Sequence, residues 1–483
     1  MSIKAISTNI GKALLINAFF MLISIVISIY NGFDSAFTPL LISFLVTFIT
    51  GTFPFIFVKK NHTTTLQSGF LTIVLAWILS FIFGMLPYVL WGGEFTLINA
   101  WFESVSGYTT TGSTILNDIE ALPKSLLFWR SSTHFIGGLG VIVFLLIIIP
   151  DNSPAKLRLT HLELSSLSKE GYRYKTGTTT RVMVYVYFGL AAVETLLLWA
   201  AGMSLFDAVN HAFSTVATGG FSTKNTSVMY FDNVWIDIII TVFMALSAMH
   251  FGVIFSIIAK RSFKPLRHSV TKYYFGVIAV FSLIVAVSLK LQGGYQSWGE
   301  AAMDSTFQTV SFLTTTGFGQ SDNSHWPILA NTILLFAAFH CGCSGSTTGG
   351  IKADRMYIAL KAIYGDFQKR LHPSSLFRTR IGGKVINEGI VSSVFLYIVL
   401  YIAILFVSFI LVLICGVEIG EAFSGTVSSL GNVGPGTGTI GTMGNYSSLG
   451  PMVKFIFTID MFLGRVEIFP ILIVLSMMFK RQK

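Results

Sequence analysis

The sequence predicts an all-α integral membrane protein: four pseudo-symmetric helix/pore-loop/helix repeats around one pore, plus two extra N-terminal transmembrane helices. Three observations carry that prediction. Of 483 residues, 53% are hydrophobic and only 11% charged, with a mean hydropathy of +0.72, a balance far from that of a water-soluble chain. Apolar runs long enough for the roughly 20 helical residues that a hydrocarbon core demands recur along the whole chain. Between them one phrase occurs four times: Val or Phe, then Ser, five residues, then Gly. The copies run from Val105-Ser106 to Gly112, Phe213-Ser214 to Gly220, Val310-Ser311 to Gly317, and Val427-Ser428 to Gly434.

In chain order, residues 1–67 hold two spans, near 13–30 and 37–58. The first begins after Lys12 and lacks an A-x-A-like cleavage site, so it is expected to stay as a helix. Repeat 1 (68–150) has spans at 68–91 and 126–150. A cytoplasmic connection (151–179) leads to repeat 2 (180–260), with spans at 180–203 and 233–259. Repeat 3 (261–362) has spans at 271–291 and 326–362. A basic cytoplasmic connection (363–388) precedes repeat 4 (389–483), with spans at 389–415 and 451–478. Between the two spans of each repeat lies a shorter, more polar stretch, near 95–109, 205–217, 299–314 and 419–431, too short to cross a bilayer. Irregular backbone at membrane depth is tolerated only where protein buries it or water reaches it. Each stretch therefore reads as a re-entrant half-helix followed by an irregular loop.

Charge sets the orientation, because Lys and Arg collect in cytoplasmic loops. Lys59-Lys60, the bases from Lys156 to Arg181, those from Lys260 to Lys272, those from Lys361 to Lys384, and the Lys480-Arg481-Lys483 tail fall on one side, with both termini. The opposite loops carry Glu94, Asp118, Glu120, Asp207, Asp232, Glu300, Asp322, Glu418 and Glu421. The net charge of +10 is thus a topological signal and points to no nucleic-acid partner. The half-helices enter from outside, and their C-terminal ends, carrying partial negative charge, favour a cation near the membrane centre.

The loops are built for such a cation. Rings of carbonyls can replace its hydration water, glycine lets four backbones crowd one axis, and oxygen-only ligation suits a hard ion such as K⁺. The hydroxyls of Thr110, Thr111, Thr218, Thr315 and Thr316 could add oxygens below. A single Thr-Gly run reads equally well as an outer turn or a tight helix contact; four copies, each between two spans, do not. Cys341, Cys343 and Cys415 make no disulfide or zinc framework and are expected as small buried packing. No paired carboxylate, nucleophile–base pair or metal cluster marks an enzyme. A P-loop reading of Gly345 to Gly350 fails because Ile351 stands where Lys is needed.

The phrases Thr-Thr-Thr-Gly-Ser at 109–113, Ala-Thr-Gly-Gly-Phe-Ser-Thr at 217–223, Thr-Thr-Thr-Gly-Phe-Gly at 314–319 and Gly-Asn-Val-Gly-Pro-Gly at 431–436 resemble the TrkH family of bacterial Trk potassium uptake systems, within the Trk/Ktr/HKT superfamily. The resemblance covers almost the whole chain, and the two additional N-terminal spans favour TrkH over the shorter KtrB type. It implies K⁺ as bound and transported ion, in an inner membrane, with no organic cofactor in this chain. It implies ion-coordinating backbone at Thr110, Thr111 and Gly112; Thr218, Gly219 and Gly220; Thr315, Thr316 and Gly317; and Asn432, Val433 and Gly434. Glycine at all four positions goes with K⁺ permeation in that superfamily, whereas Ser at the first is associated with Na⁺ selectivity in plant relatives. The copies differ among themselves and lack the two-Gly signature of tetrameric K⁺ channels, so reduced discrimination against Na⁺ is expected.

The third and fourth repeats carry marks of their own. Cys343-Ser344-Gly345-Ser346-Thr347-Thr348-Gly349-Gly350 interrupts the span at 326–362, since each Gly costs a helix about 1 kcal/mol relative to Ala. The resembling family has an intramembrane loop here that restricts the pore below the filter. Arg465 lies in an apolar span and must face water or an acceptor; a local ion pair with Glu467 is the plain alternative to a pore position beside the loop. Together the loop and Arg465 are expected to form a gate. The basic connections at 151–180 and 361–388 would contact lipid headgroups, at about 1 kcal/mol per basic residue. By resemblance they would also dock cytosolic TrkA-type nucleotide-binding regulatory subunits, and the chain would form a homodimer. The competing class is a secondary transporter coupling K⁺ to H⁺ or Na⁺, for which His134, His250 and His340 are the repeated titratable candidates; core hydrogen-bonded roles are the plain alternative.

Overall fold

In the computed structural model the described residues are 3–58, 66–147, 176–372, 379–382 and 384–480. Two long helices, α1 (Ile3–Tyr30) and α2 (Phe37–Phe57), form an antiparallel pair, and α1 packs on the first repeat. A methyl on Gly11 would lie 2.7 Å from the Gly51 carbonyl, so the absence of a side chain sets how closely this pair packs.

Four units of one plan follow. In the first, α3 (Leu66–Gly84), extended after a break at Met85 by α4 (Leu86–Trp91), leads to the half-helix α5 (Leu97–Tyr108) and then α6 (Lys124–Ile147). The second has α7 (Thr176–Ala200), half-helix α8 (Leu205–Ala217), and α9 (Val234–Ser247) with α10 (Phe251–Lys260). The third has α11 (Ser269–Gln292), half-helix α12 (Trp298–Leu313), α13 (Ile328–His340) and α14 (Ala353–Leu371). A hairpin of two-residue antiparallel strands, β1 (Arg380–Ile381) and β2 (Lys384–Val385), precedes the fourth: α15 (Glu388–Ile414), half-helix α16 (Ile419–Gly431), α17 (Pro451–Val466) and α18 (Ile468–Lys480). Thr96, Ser204 and Ser297 cap three of the half-helices with a side-chain oxygen, each accepting an orphan N–H of the first turn.

The units close into a ring. Every half-helix packs against the helix that follows it in its own unit and against the corresponding helix of the preceding unit: α8 on α6, α12 on α9, α16 on α13, and α5 on α17. The first and fourth units are thereby neighbours although they lie at opposite ends of the chain.

The helices preceding the half-helices are uninterrupted or nearly so. Among the described residues six helices are long and apolar enough to span a membrane: the N-terminal Lys4–Tyr30 and Phe37–Phe57, and the four that precede the half-helices, Gln67–Trp91, Arg181–Ala200, Ser269–Gln292 and Glu388–Ile414. The helices that follow the half-helices differ from the sequence expectation. The span expected at 233–259 is bent by 104° between α9 and α10, and that at 451–478 breaks at Glu467, whose φ is 64°. Only the interruption of the third unit was expected. The second break has a tertiary cause: Cys343 N–H donates to the Ala248 carbonyl (2.8 Å) and Phe251 N–H to the Gly345 carbonyl (3.2 Å), so the third unit's loop supplies the partners that the broken helix lacks. Cys341 and Cys343 are buried as expected, but Cys415 is exposed. The connection expected at 151–179 lies outside the described residues up to 175, where α7 then begins; Lys59-Lys60 and the tail from Arg481 also lie outside them.

Candidate functional site

The repeated phrase folds the same way four times. At the end of α5 the N–H of Thr111 donates to the Ser106 carbonyl (2.9 Å) and that of Thr110 to the Gly107 carbonyl (3.0 Å). This is a Schellman cap, with the motif serine supplying its outer acceptor and the residue two before the motif glycine in the left-handed region. Gly219 on Ser214 (2.8 Å), Thr316 on Ser311 (2.9 Å) and Val433 on Ser428 (2.9 Å) repeat it. Thr110, Thr218, Thr315 and Asn432 have φ between 52° and 55°, and the glycines two residues on have φ of 82°, 83°, 78° and 105°.

The twelve residues of the four triplets come together. A methyl on Gly112 would sit 2.1 Å from the Gly219 carbonyl oxygen, one on Gly220 2.1 Å from that of Thr316, one on Gly317 2.0 Å from that of Val433, and one on Gly434 2.5 Å from that of Thr111. These contacts run once around the units in order and return to the start. All four glycines line one cavity of about 220 Å³, together with Thr114, Arg130, Ser222, Asn225, Thr442 and Tyr446. Among the described residues, the Gly434 carbonyl alone of these twelve accepts a hydrogen bond. The other eleven carbonyls, eight on buried residues and three on the partly exposed Gly112, Gly220 and Gly317, have no donor among the described residues. The half-helix C-termini, with their partial negative charge, converge on them.

The threonine hydroxyls are mostly engaged. Thr109 pairs with Thr111 (2.8 Å) and Thr314 with Thr316 (2.8 Å), Thr218 donates to the Ala217 carbonyl, and Thr315 accepts from Gly349 N–H (3.3 Å). Among the described residues the Thr110 hydroxyl has no partner. Asn432 Nδ2 ties the fourth triplet to the Thr111 hydroxyl (3.0 Å) and to the Met461 carbonyl of α17 (2.8 Å).

The segment between α13 and α14 is non-helical, and the expected run Cys343, Ser344, Gly345, Ser346, Thr347, Thr348, Gly349 and Gly350 lies directly against the third triplet through Gly349. Thr347 donates its hydroxyl to the Val216 carbonyl (3.1 Å), Ser346 to the Cys343 carbonyl (2.6 Å), and Ser344 N–H donates to Asp354 (2.5 Å). Arg465, fully buried, donates to the Thr347 carbonyl and to the Gly137 carbonyl of α6 (3.2 Å). The local Arg465–Glu467 pair does not form. Glu467 instead meets Lys352 (3.1 Å) and Arg355 (2.6 Å) at the start of α14, because the break at Glu467 turns its side chain away from α17. Arg355 also stacks on Tyr397 (3.9 Å).

Two further groups escaped sequence reasoning. Lys352 and Arg355 follow the glycine-rich run inside the span expected at 326–362, where the same rule for a charge in an apolar span would have marked them. Arg130 is buried in α6, ion-paired with buried Glu103 of α5 (2.8 Å), and donates to the Ser222 carbonyl (3.3 Å). The rule that picked out Arg465, a charge inside an apolar span, applies equally to Arg130. Glu103 also accepts from the N–H of Ile115 (3.1 Å) and the Thr114 hydroxyl (3.0 Å). Phe221, next to Gly220, is sandwiched between Arg130 (4.1 Å) and His134 (4.0 Å). The three histidines have local partners: His134 with the Ser214 hydroxyl (2.8 Å), His250 accepting from Gly252 N–H (3.0 Å), and His340 with the Tyr273 hydroxyl (2.8 Å).

A multi-pass helical membrane protein with four re-entrant half-helices around a common ring belongs to the class of membrane cation-transport proteins built on pore-loop units. The family model described as TrkH, cation transport protein, matches residues 39–483. The Trk system potassium uptake protein TrkH of Salmonella typhimurium is 34% identical over 389 residues, covering 80% of each chain. That of Vibrio parahaemolyticus is 31% identical over 461 residues, covering 93% of each. The crystal structure of the potassium transporter TrkH from Vibrio parahaemolyticus superposes with a TM-score of 0.88 at 29% identity, covering 98% of this chain and 99% of that one. The chain belongs to the TrkH family.

Proposed function

We propose that this chain is the ion-conducting subunit of a potassium uptake system, a channel-like protein in which K⁺ sheds water into the ring formed by the triplets at 110–112, 218–220, 315–317 and 432–434. One observation carries the reading: eleven carbonyls of the ring, eight of them on buried residues and those of Gly112, Gly220 and Gly317 on partly exposed ones, lack any protein donor among the described residues. Buried acceptors left bare cost free energy, and a desolvated cation supplies what they need. Oxygen-only ligation favours a hard ion, and the relatives named for potassium uptake favour K⁺ among hard ions.

Below the ring, the 343–350 run and Arg465 form the gate. Arg465 holds the run to α6 through the Thr347 and Gly137 carbonyls, which supports a gating role for the pair. A passive route is preferred to coupling with H⁺ or Na⁺ because His134, His250 and His340 each serve a local hydrogen bond. Both termini face the cytoplasm by the charge rule, in the cell inner membrane. There α14 and the β1–β2 hairpin would present Lys361, Lys369, Arg370 and Arg380 to TrkA-type nucleotide-binding subunits. A second copy would complete a homodimer.

Reversal potentials in mixed K⁺ and Na⁺ test the reading. A Cβ at Gly112 collides with the Gly219 carbonyl and is strained at a φ of 82°, so Gly112→Ser must displace ring oxygens. Its K⁺/Na⁺ permeability ratio is expected to fall by about tenfold. A ratio equal to the parent's, or a parental current that follows the proton gradient rather than the K⁺ gradient, would overturn it.

A further inference from the structure

The ring departs from four-fold likeness at its outermost residue. Gly434 has a φ of 105°, against 82°, 83° and 78° at Gly112, Gly220 and Gly317. Its carbonyl accepts two hydroxyl donors, Ser113 Oγ at 3.1 Å and Tyr446 Oη at 2.8 Å, both buried. A carbonyl oxygen has two lone pairs, so two donors saturate it. Among the described residues the carbonyls of Gly112, Gly220 and Gly317 accept nothing. Tyr446 has little freedom to release its bond. Its N–H donates to the Thr114 carbonyl (2.8 Å), and its ring is wedged between Phe102 (5.4 Å) and Phe457 (5.8 Å). The residue after Gly434 is Pro435, whose ring fixes its φ and so limits the turning of this peptide.

The geometry points to an outermost ion level with three protein oxygens instead of four, the Gly434 carbonyl being withheld from the ion by Tyr446 and Ser113. These two are positioning residues that set selectivity through that carbonyl; the inference rests on the reading that the ring coordinates K⁺. An ion at this level keeps water on its fourth side. Fewer fixed oxygens hold it, and discrimination by size is weaker there than at the levels below.

Reversal potentials under bi-ionic K⁺/Na⁺ conditions for the full chain in planar bilayers test this. Tyr446→Phe and Ser113→Ala each remove one hydroxyl without changing the packing outline. The double variant frees the carbonyl and is expected to raise the K⁺/Na⁺ permeability ratio by about threefold or more, the single variants by less. Ser113→Thr retains a donor and should keep the parental ratio. A purely structural role would lower current amplitude with no change in ratio, and that result would overturn the inference. Should the double variant fail to reach the membrane, the single variants carry the test, and unchanged ratios in both would overturn it. Gly112→Ser separates the two levels of argument. If it shifts the ratio while the hydroxyl variants do not, only this inference falls; if neither does, the reading of the ring falls too.

Discussion

Arg130 and Glu103 show what a single buried pair can do for the ring. Both are shielded from solvent, and the guanidinium also reaches the Ser222 carbonyl, so one cluster fixes the chain leaving the first triplet against the chain leaving the second. Removing one partner of a buried pair costs about 3–5 kcal/mol because the other charge is stranded. Arg130→Ala should therefore lower the thermal unfolding midpoint in detergent markedly, and the double replacement Glu103→Gln/Arg130→Met should recover part of the loss. A parental midpoint for Arg130→Ala would contradict the clamp. On the outer surface, Asn225 donates to Asp118 (2.9 Å) and holds its carboxyl below the usual range, linking the outer loops of the first two units. A depressed acid contributes while ionised. Its stabilisation is present above the ordinary Asp pKa of about 3.9 and fades as pH falls through the lower folded value. The acid limb of a stability–pH profile should be shallower in Asp118→Asn; an unaltered limb would remove this link.

At the scale of elements, the decisive relation is between the loop at 341–352 and the break between α9 and α10. Each supplies the hydrogen bonds the other lacks, so neither irregular segment is costly where it lies. The same loop is held from below by Arg465 and, through Asp354 and the Lys352–Glu467–Arg355 cluster, by the start of α14. Hydrogen bonds from a charged donor are worth about 1.5–3 kcal/mol each. Arg465→Ala should accordingly shift the closed–open balance enough to raise flux through reconstituted vesicles about ten- to hundredfold, each 1.4 kcal/mol being tenfold. Shortening the run across Gly345 to Gly349 should raise flux as well. Parental flux in both variants would sink the gate.

For the molecule as a whole, orientation is the property most directly open to measurement. Cys341 and Cys343 are buried, whereas Cys415 is exposed between α15 and the half-helix α16, on the side from which the half-helices enter. A membrane-impermeant maleimide added to right-side-out vesicles should label the chain, and Cys415→Ser should abolish the label. Labelling only from the opposite face would reverse the assigned topology. Ring closure is a whole-molecule property too. Contacts from α5 to α17, and from Asn432 to Thr111, join segments more than 300 residues apart, so the last unit must dock before the ring is complete.

The sequence by itself determined the membrane class, the four half-helices to within a few residues and the four Ser-to-Gly phrases, while the twelve residues within those phrases are named by the family resemblance the phrases carry. The class, the half-helices and the phrases follow from local rules: apolar length, the spacing that a Schellman cap imposes between Ser and Gly, and the φ that only glycine adopts without strain. It also marked Arg465 and the glycine-rich run, since a charge or a cluster of glycines is conspicuous in an apolar span. Only the tertiary structure decided the breaks in the second and fourth units, the turn of Glu467 toward Lys352 and Arg355, and the double capping of the Gly434 carbonyl by Ser113 and Tyr446. Each of those depends on which distant donor reaches which backbone group. Such pairings leave no periodicity or composition in the chain, because a hydrogen bond across the ring places no demand on the residues adjacent to it in sequence.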